Sequence, residues 1–244
     1  ERLLFDQQKP YILNIQNKEL NVINLGAVKD VVRIDKNSFG IATNVGAHKA
    51  DMREGREPVL TDIYKGRTYA ISYDNKNKKY YIASSQGLLM VDSASNEQLV
   101  YYNDSPLMVN DIAYTPNGIL VGTKNSGLLL ISESEVTPFI DESNGLLANY
   151  VEQFKVYNDW VIIATELGFK IFNKSGNLLK TLSASDGLKS LKLWDFDIDS
   201  TYLWMLHKNG LQRIRLDQLL SKSSSNESKI REVRFYVNDE HIEE

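Results

Sequence analysis

The chain has no cysteine among its 244 residues. That excludes disulfides and thiolate metal sites, and it leaves the compartment open, because an extracytoplasmic protein can simply lack them. Histidine is scarce: His48, His207 and His241 stand in unrelated contexts, without the H-x-x-x-H or H-E-x-x-H spacing of a metal site. There is no G-x-S-x-G nucleophile elbow and no G-x-x-x-x-G-K-[ST] phosphate loop. No apolar run is long enough for a transmembrane helix, and mean hydropathy is −0.33. No basic, apolar leader opens the chain, which starts at Glu1 and reads as a mature segment or an excised piece. Positive charge is not in excess: 28 Lys and Arg against 32 Asp and Glu give −4, which argues against nucleic acid as the main partner.

What the sequence does have is a repeat. One pattern recurs five times: an apolar strand, a turn, a second apolar strand ending in a small hydroxyl residue, then a glycine opening a third strand. Gly46, Gly87, Gly127, Gly168 and Gly210 mark the copies, at intervals of 87−46=41, 127−87=40, 168−127=41 and 210−168=42. A fixed period of this size, with several short strands per unit, predicts an all-β fold, a β-propeller of four-stranded antiparallel blades. A hydrophobic fraction of 42% supplies a packed core.

The fourth unit is the clearest. The segment 150–157 alternates as an inner strand, and Asn158-Asp159 makes a tight turn. Trp160 to Thr165 is nearly all apolar, as in a strand sandwiched between neighbouring blades; Phe169 to Asn173 and Leu178 to Leu182 complete the sheet. In the first unit, the polar stretch 47–65 reads as an irregular insertion. Tyr11 to Leu25 matches third and outer strands, so the chain enters in mid-blade: five complete blades and a partial one, part of a seven-bladed ring. The division is therefore 1–220 for the blades, 221–229 for a polar linker, and 230–244 for a last strand. That strand either closes the ring or begins a second domain.

The run Asn144-Gly145-Leu146-Leu147-Ala148-Asn149-Tyr150-Val151, followed by Trp160 to Thr165 and Gly168-Phe169, resembles the two-component regulator propeller repeat. Asp186-Gly187-Leu188, Trp204 and Gly210-Leu211 repeat it in the fifth unit. Asn117-Gly118, Gly122-Thr123 and Gly127-Leu128 do so in the third. Gly40 and Tyr81 stand where the family has tryptophan, and the first unit departs most. The segment 233–239 is similar to the first strand of the immunoglobulin-like domain that follows such propellers. The resemblance covers nearly all of the chain. It implies a periplasmic sensor region of a dimeric histidine kinase or hybrid two-component receptor, without cofactor. The implied ligand is a soluble oligosaccharide, and the membrane is reached only through domains outside this segment. The competing classes are an extracellular propeller enzyme, a lyase or glycosidase, and a scaffold with no small ligand. The S-x-D-x-G-x-T-W boxes of sialidase propellers are missing, and Trp194-Asp195 opens an inner strand instead of closing a third one, unlike the WD dipeptide. Asp195 and Asp197 alternate on one side of a strand, a pairing that chance supplies readily among so many acids.

In a propeller the loops between second and third strands, and those between blades, gather at one end of the wheel. This nominates Asn44, His48, Lys124, Asn125, Glu166, His207 and Lys208 from the first kind of loop, and Asn110, Tyr150 and Trp194 from the second. Aromatic rings suit the apolar faces of sugars, and amides and charges suit their hydroxyls. Trp160 and Trp204 read as core. Thr43, Ser84, Thr123 and Thr165 form a column expected to bond backbone within the turn. His207 breaks that column and is expected to offer a polar contact to ligand.

Overall fold

A nearly continuous apolar strand can hide both faces only inside a sheet that is itself packed between others. The computed structural model resolves this as four four-stranded antiparallel sheets and one five-stranded sheet, with the apolar strand second in each. It describes residues 2–6, 9–13, 20–22, 25–53, 56–133, 135–165, 168–188, 193–207, 210–219, 234–237 and 240–243. The fold is an all-β propeller of four-stranded blades.

Blade 1 comprises Val28–Arg33, Ser38–Thr43, Gly46–Arg53 and Arg56–Lys65; blade 2, Thr68–Asp74, Lys79–Ser84, Gly87–Val91 and Glu97–Leu99. Blade 3 comprises Val109–Thr115, Gly118–Thr123, Leu128–Ser132 and Glu135–Ile140. Blade 4 comprises Gln153–Tyr157, Trp160–Thr165, Gly168–Asn173 and Leu178–Leu182. Blade 5 comprises Leu193–Ile198, Tyr202–His207, Gly210–Arg215 and Arg234–Val237, with Glu240–Glu243 paired beyond it. The chain divides into two compact units. The first spans Glu1–Lys124 and Leu129–Thr137, the second Asn125–Leu128 and Pro138–Glu244.

The first unit has its core between neighbouring blades. Ala42, Ala47 and Tyr64 of blade 1 pack with Ile71, Ile82 and Leu89 of blade 2. Tyr81, Ala83 and Leu88 in turn meet Ile112, Val121 and Leu129 of blade 3. In the second unit Ile162, Phe169 and Ile171 of blade 4 meet Phe196, Leu203 and Met205 of blade 5, with Phe169 edge-on to Phe196 at 5.1 Å. Each of the large aliphatic and phenylalanine side chains among these contributes about 1.5–3 kcal/mol by leaving water.

Blade 4 forms as its sequence predicts. Tyr157 pairs with Trp160 across the Asn158-Asp159 turn, and Asn158 takes φ 53°, the left-handed conformation a two-residue hairpin turn demands. The blade-connecting motif also acquires a physical meaning. Asp141 and Asn144 cap a single 3-10 turn, Gly145 reverses the chain at φ 99°, and Leu146 is buried behind it. Ser183, Asp186, Gly187 and Leu188 repeat the device.

The stretch 47–65 is not an insertion. It forms the third and fourth strands of blade 1, paired from Gly46↔Lys65 outward to Arg53↔Arg56. Its buried anchors are Ala47 and Ala50, on opposite faces of the third strand, and Tyr64 on the fourth, so the stretch is weak in apolar bulk. The only two-strand excursion between described blades is instead Tyr101–Tyr102 with Ser105–Pro106. At the N-terminus, Lys9–Leu13 pairs with Leu20–Val22, and Arg2–Asp6 adds a third strand to the expected two. At the other end Tyr236 pairs with Leu211, so the last segment extends the sheet of blade 5. The linker expected at 221–229 lies outside the described residues.

Gly168 shows why glycine marks the period. Its φ is +118°, and a Cβ there would stand 2.0 Å from the Leu182 carbonyl oxygen. Gly168→Ala is expected to cost about 2–4 kcal/mol through backbone strain and forced separation of the third and fourth strands. Urea unfolding of the variant against the wild type measures it.

Candidate functional site

The loop end of each blade is built by the hydroxyl column. The Thr43 hydroxyl donates to the Gly46 carbonyl at 2.8 Å and accepts from the Gly46 N–H at 3.0 Å. Ser84 donates to Gly87 at 2.8 Å and Thr165 to Gly168 at 2.9 Å. Thr43, Ser84 and Thr123 are buried, so the column bonds backbone as expected. A second bond fixes the loop to the incoming chain. The residue after the hydroxyl donates its N–H to the carbonyl two residues before the bulge described next: Asn44 to Ala27 at 3.0 Å, Ser85 to Arg67 at 3.1 Å, Lys124 to Met108 at 3.3 Å.

Four of the five inner strands begin with a register shift, between Val28 and Asp30, Thr68 and Ala70, Val109 and Asp111, and Leu193 and Asp195, while that of blade 4 pairs from Gln153 without one. The extra residue is Lys29, Tyr69, Asn110 or Trp194. The same position in blade 4 is Glu152, just before its first strand. A bulged residue is left out of the ladder and re-aimed, a feature common next to functional sites. After the bulge, Asp30, Asp111 and Asp195 each accept the N–H of the following residue, at 2.7, 2.9 and 2.8 Å. The second oxygen of Asp30 accepts the Ile71 N–H of the next blade at 2.9 Å, and Gln153 donates to the Trp194 carbonyl at 3.2 Å. Equivalent inner-strand positions thus stand side by side within each unit.

In the first unit this end presents three rows: Ala27, Arg67 and Met108; Lys29, Tyr69 and Asn110; Asn44, Ser85 and Lys124. Lys29, Arg67 and Lys124 are exposed, and the Arg67 guanidinium lies 5.5 Å from the Tyr69 ring centre. In the second unit Trp194 is 57% exposed and Tyr150 43% exposed, with Glu152 also at the surface. Asn149 ties that end together: its carbonyl accepts the Gly127 N–H at 2.9 Å and its side chain accepts the Glu142 N–H at 3.1 Å.

The nominated residues divide accordingly. Lys124, Asn125, Tyr150 and Trp194 are exposed at loop ends, and Asn110 is a half-buried bulge residue. Asn44 is exposed, but its side-chain oxygen already accepts the Ala27 N–H at 2.8 Å. Glu166 and Lys208 lie outside the described residues. Two corrections follow. His48 is not on the loop: it sits within the third strand of blade 1, and its Nδ1 is 2.9 Å from Asp62. Its Nε2 is buried against Gly46 without a hydrogen-bond partner among the described residues. His207 is 1% exposed, so it occupies the buried column position and offers no ligand contact. A histidine ending an apolar strand invited the surface reading, yet the register Leu193↔His207 holds it inside.

Trp160 and Trp204, expected in the core, are half-buried. The Trp204 indole N–H donates to Asp199 at 2.7 Å and holds that carboxyl below its usual range. Arg213 lies over the rings of Tyr202 and Trp204, at 4.3 and 5.4 Å. Asp195 is used by the bulge and Asp197 lies 4.0 Å from Lys155, so this pair is accounted for structurally. Among the described residues no group of three or more acidic or histidine side chains is set to hold a metal.

Residues not nominated from sequence are Lys29, Arg67, Tyr69 and Glu152. Aligning the copies on Trp194 exposes most of them: 69−29=40, 110−69=41, 152−110=42 and 194−152=42, the same period as the glycines.

No protein-family model matches the chain, and no curated protein matches it in sequence. Among solved structures it is similar to the WD40 β-propeller domain of Doa1, with a TM-score of 0.60 and 12% identity over 88% of this chain and 81% of that one. It is also similar to the computationally designed Ika8 protein, with a TM-score of 0.57 and 14% identity over 88% of this chain and 70% of that one. At these identities the likeness defines the class, a β-propeller, and nothing finer.

Burial holds the His207 imidazole below its ordinary value of 6.5. The unfolded chain therefore takes up a proton first as pH falls through 6.5, and stability drops from there down to the folded-state value. Above 6.5 both states are neutral and the residue adds no pH dependence. His207→Thr, which restores the column residue, is expected to remove this component. Urea midpoints of both proteins at pH 7.5 and 5.5 check it, the variant losing less on acidification.

Proposed function

We propose that this chain is a non-catalytic ligand-recognition propeller, the periplasmic sensing segment of a two-component receptor whose ligand is a soluble oligosaccharide. The membrane anchor, dimer contacts and output of that receptor belong to other parts of the parent protein. The observation that carries the reading is the contrast within each repeat. The glycine is kept in all five copies and the hydroxyl in four, with His207 in the fifth, while the positions beside them run Lys29, Tyr69, Asn110, Glu152 and Trp194, all but Glu152 bulged. A scaffold that holds its frame and varies one row of loop-end side chains suits recognition.

Trp194 supports the saccharide class. An indole 57% exposed at a loop end presents an apolar platform of the kind a sugar ring covers, and Tyr150 and Glu152 of the same unit supply hydroxyl partners. The resemblance to the regulator repeat agrees with this division. Its motif residues Gly145, Leu146, Gly187 and Leu188 have turn and packing roles, which leaves the bulge row free to differ between receptors.

Calorimetry and product chromatography on a panel of plant and host oligosaccharides test the proposal. Saturable binding without product is expected. Trp194→Ala is expected to weaken that binding about tenfold while moving Tm by no more than about 2 °C, as for a surface substitution. Turnover of any member would move the protein to the enzyme class, and a flat response across the panel would leave a scaffold.

A further inference from the structure

The loop end of the first unit carries a local excess of positive charge. The chain as a whole carries −4. The nine positions in the three rows of blades 1 to 3 nevertheless include Lys29, Arg67 and Lys124 and no carboxylate. The acids nearby are engaged. Asp30 accepts two backbone N–H groups, Asp111 accepts one, and Asp62 holds His48 and stands 3.7 Å from Lys65. Among the described residues, the corresponding positions of the second unit beside the first-strand start are Glu152 and Trp194, one anionic and one neutral.

The arrangement is also partly ordered in advance. Arg67 precedes the blade 2 bulge, its carbonyl is tied to Ser85, and its guanidinium lies over the Tyr69 ring, 5.5 Å from the ring centre. A guanidinium over a ring face keeps N–H groups available for a planar or tetrahedral oxyanion. Lys29 and Lys124 stand on the flanking blades, each on a strand start or loop fixed by backbone bonds. Tyr69 stands on blade 2 between the blades that carry them, and Asn110 shares blade 3 with Lys124. A neutral sugar needs no such charge, whereas an acidic one does.

We propose that this end of blades 1 to 3 binds the acidic groups of an anionic oligosaccharide, a uronate carboxylate or a sulfate ester. The inference rests on the saccharide-recognition reading above and adds the charge class of the ligand. Arg67 pairs with the acidic group, Lys29 and Lys124 engage neighbouring charges along the ligand, and Tyr69 with Asn110 meets the ring between them.

Calorimetry on the whole chain at matched length uses three probes: an oligogalacturonide, carrying carboxylates only; a sulfated galactan oligomer, carrying sulfates only; and a neutral galacto-oligosaccharide. At least one charged probe is expected to bind about tenfold more tightly than the neutral one, and the charged probe preferred identifies the source of the anion. The combined variant Lys29→Gln, Arg67→Gln, Lys124→Gln is expected to lose that advantage with Tm unchanged. The control variant Lys36→Gln, Lys78→Gln removes two exposed cations from the turns at the opposite end of the same blades and is expected to change affinity less than about twofold, since screening confines the effect to about 8 Å at physiological salt. Equal losses in both variants would reduce the effect to net charge and overturn the site. Tighter binding of a single-stranded oligonucleotide than of either acidic sugar would overturn the ligand class. If the neutral probe binds as well as the charged ones and depends on Trp194 alone, this inference fails and the saccharide-recognition reading stands. If no saccharide binds, both fail.

Discussion

The structure depends on one short hydrogen-bonded turn: a buried hydroxyl at the end of a second strand bonded to the carbonyl of a glycine three residues on. Thr43, Ser84 and Thr165 make this bond to Gly46, Gly87 and Gly168. A buried hydroxyl without a partner is costly, so the bond fixes the place where the second strand must stop. The glycine then brings the third strand back with its backbone close against the fourth: at Gly46, Gly127 and Gly168 there is no room for a Cβ beside the fourth-strand carbonyl. The loop end inherits its geometry from this turn, because the next N–H is already committed to the inner strand of the same blade.

A second constraint joins blade to blade. The inner strand is the first of its sheet and has a free hydrogen-bonding edge, and buried or half-buried edges need partners. Asp30 and Gln153, equivalent residues of blades 1 and 4, each reach the backbone of the following inner strand. One uses a carboxylate to accept from Ile71, the other an amide to donate to Trp194. The repeat keeps the function of the position while changing its chemistry, which is why a residue-by-residue comparison of copies understates their likeness.

The periodic glycines and the apolar second strands made the blades legible, and blade 4 lies almost residue for residue where its pattern puts it. Blade 1 was less so. Its third and fourth strands bury small alanines and expose Thr61, Asp62 and Lys65, so hydropathy pointed to a loop. The candidate site was legible where a residue is simply a loop tip, as with Lys124, Asn125 and Tyr150. It was hidden where a side chain's direction depends on register. His207 ends the second strand of blade 5, where pairing with Leu193 seals it inside, while Trp194, the extra residue of the bulge between Leu193 and Asp195, is left outward as expected. Sequence spacing alone does not reveal that extra residue; only the copies laid against one another do.

The bulge has a consequence for how such a surface changes over generations. A side chain within a regular strand is held to one face by its neighbours, and replacing it disturbs a packed layer. The extra residue of a bulge is outside that alternation, so its replacement leaves both faces of the sheet as they were. Four such positions, Lys29, Tyr69, Asn110 and Trp194, and their unbulged counterpart Glu152 recur about one repeat apart, so that five different side chains already occupy the same place in the repeat. Variation there is uncoupled from variation in the core. New specificity can accumulate on these blades without first drawing down the stability that holds them.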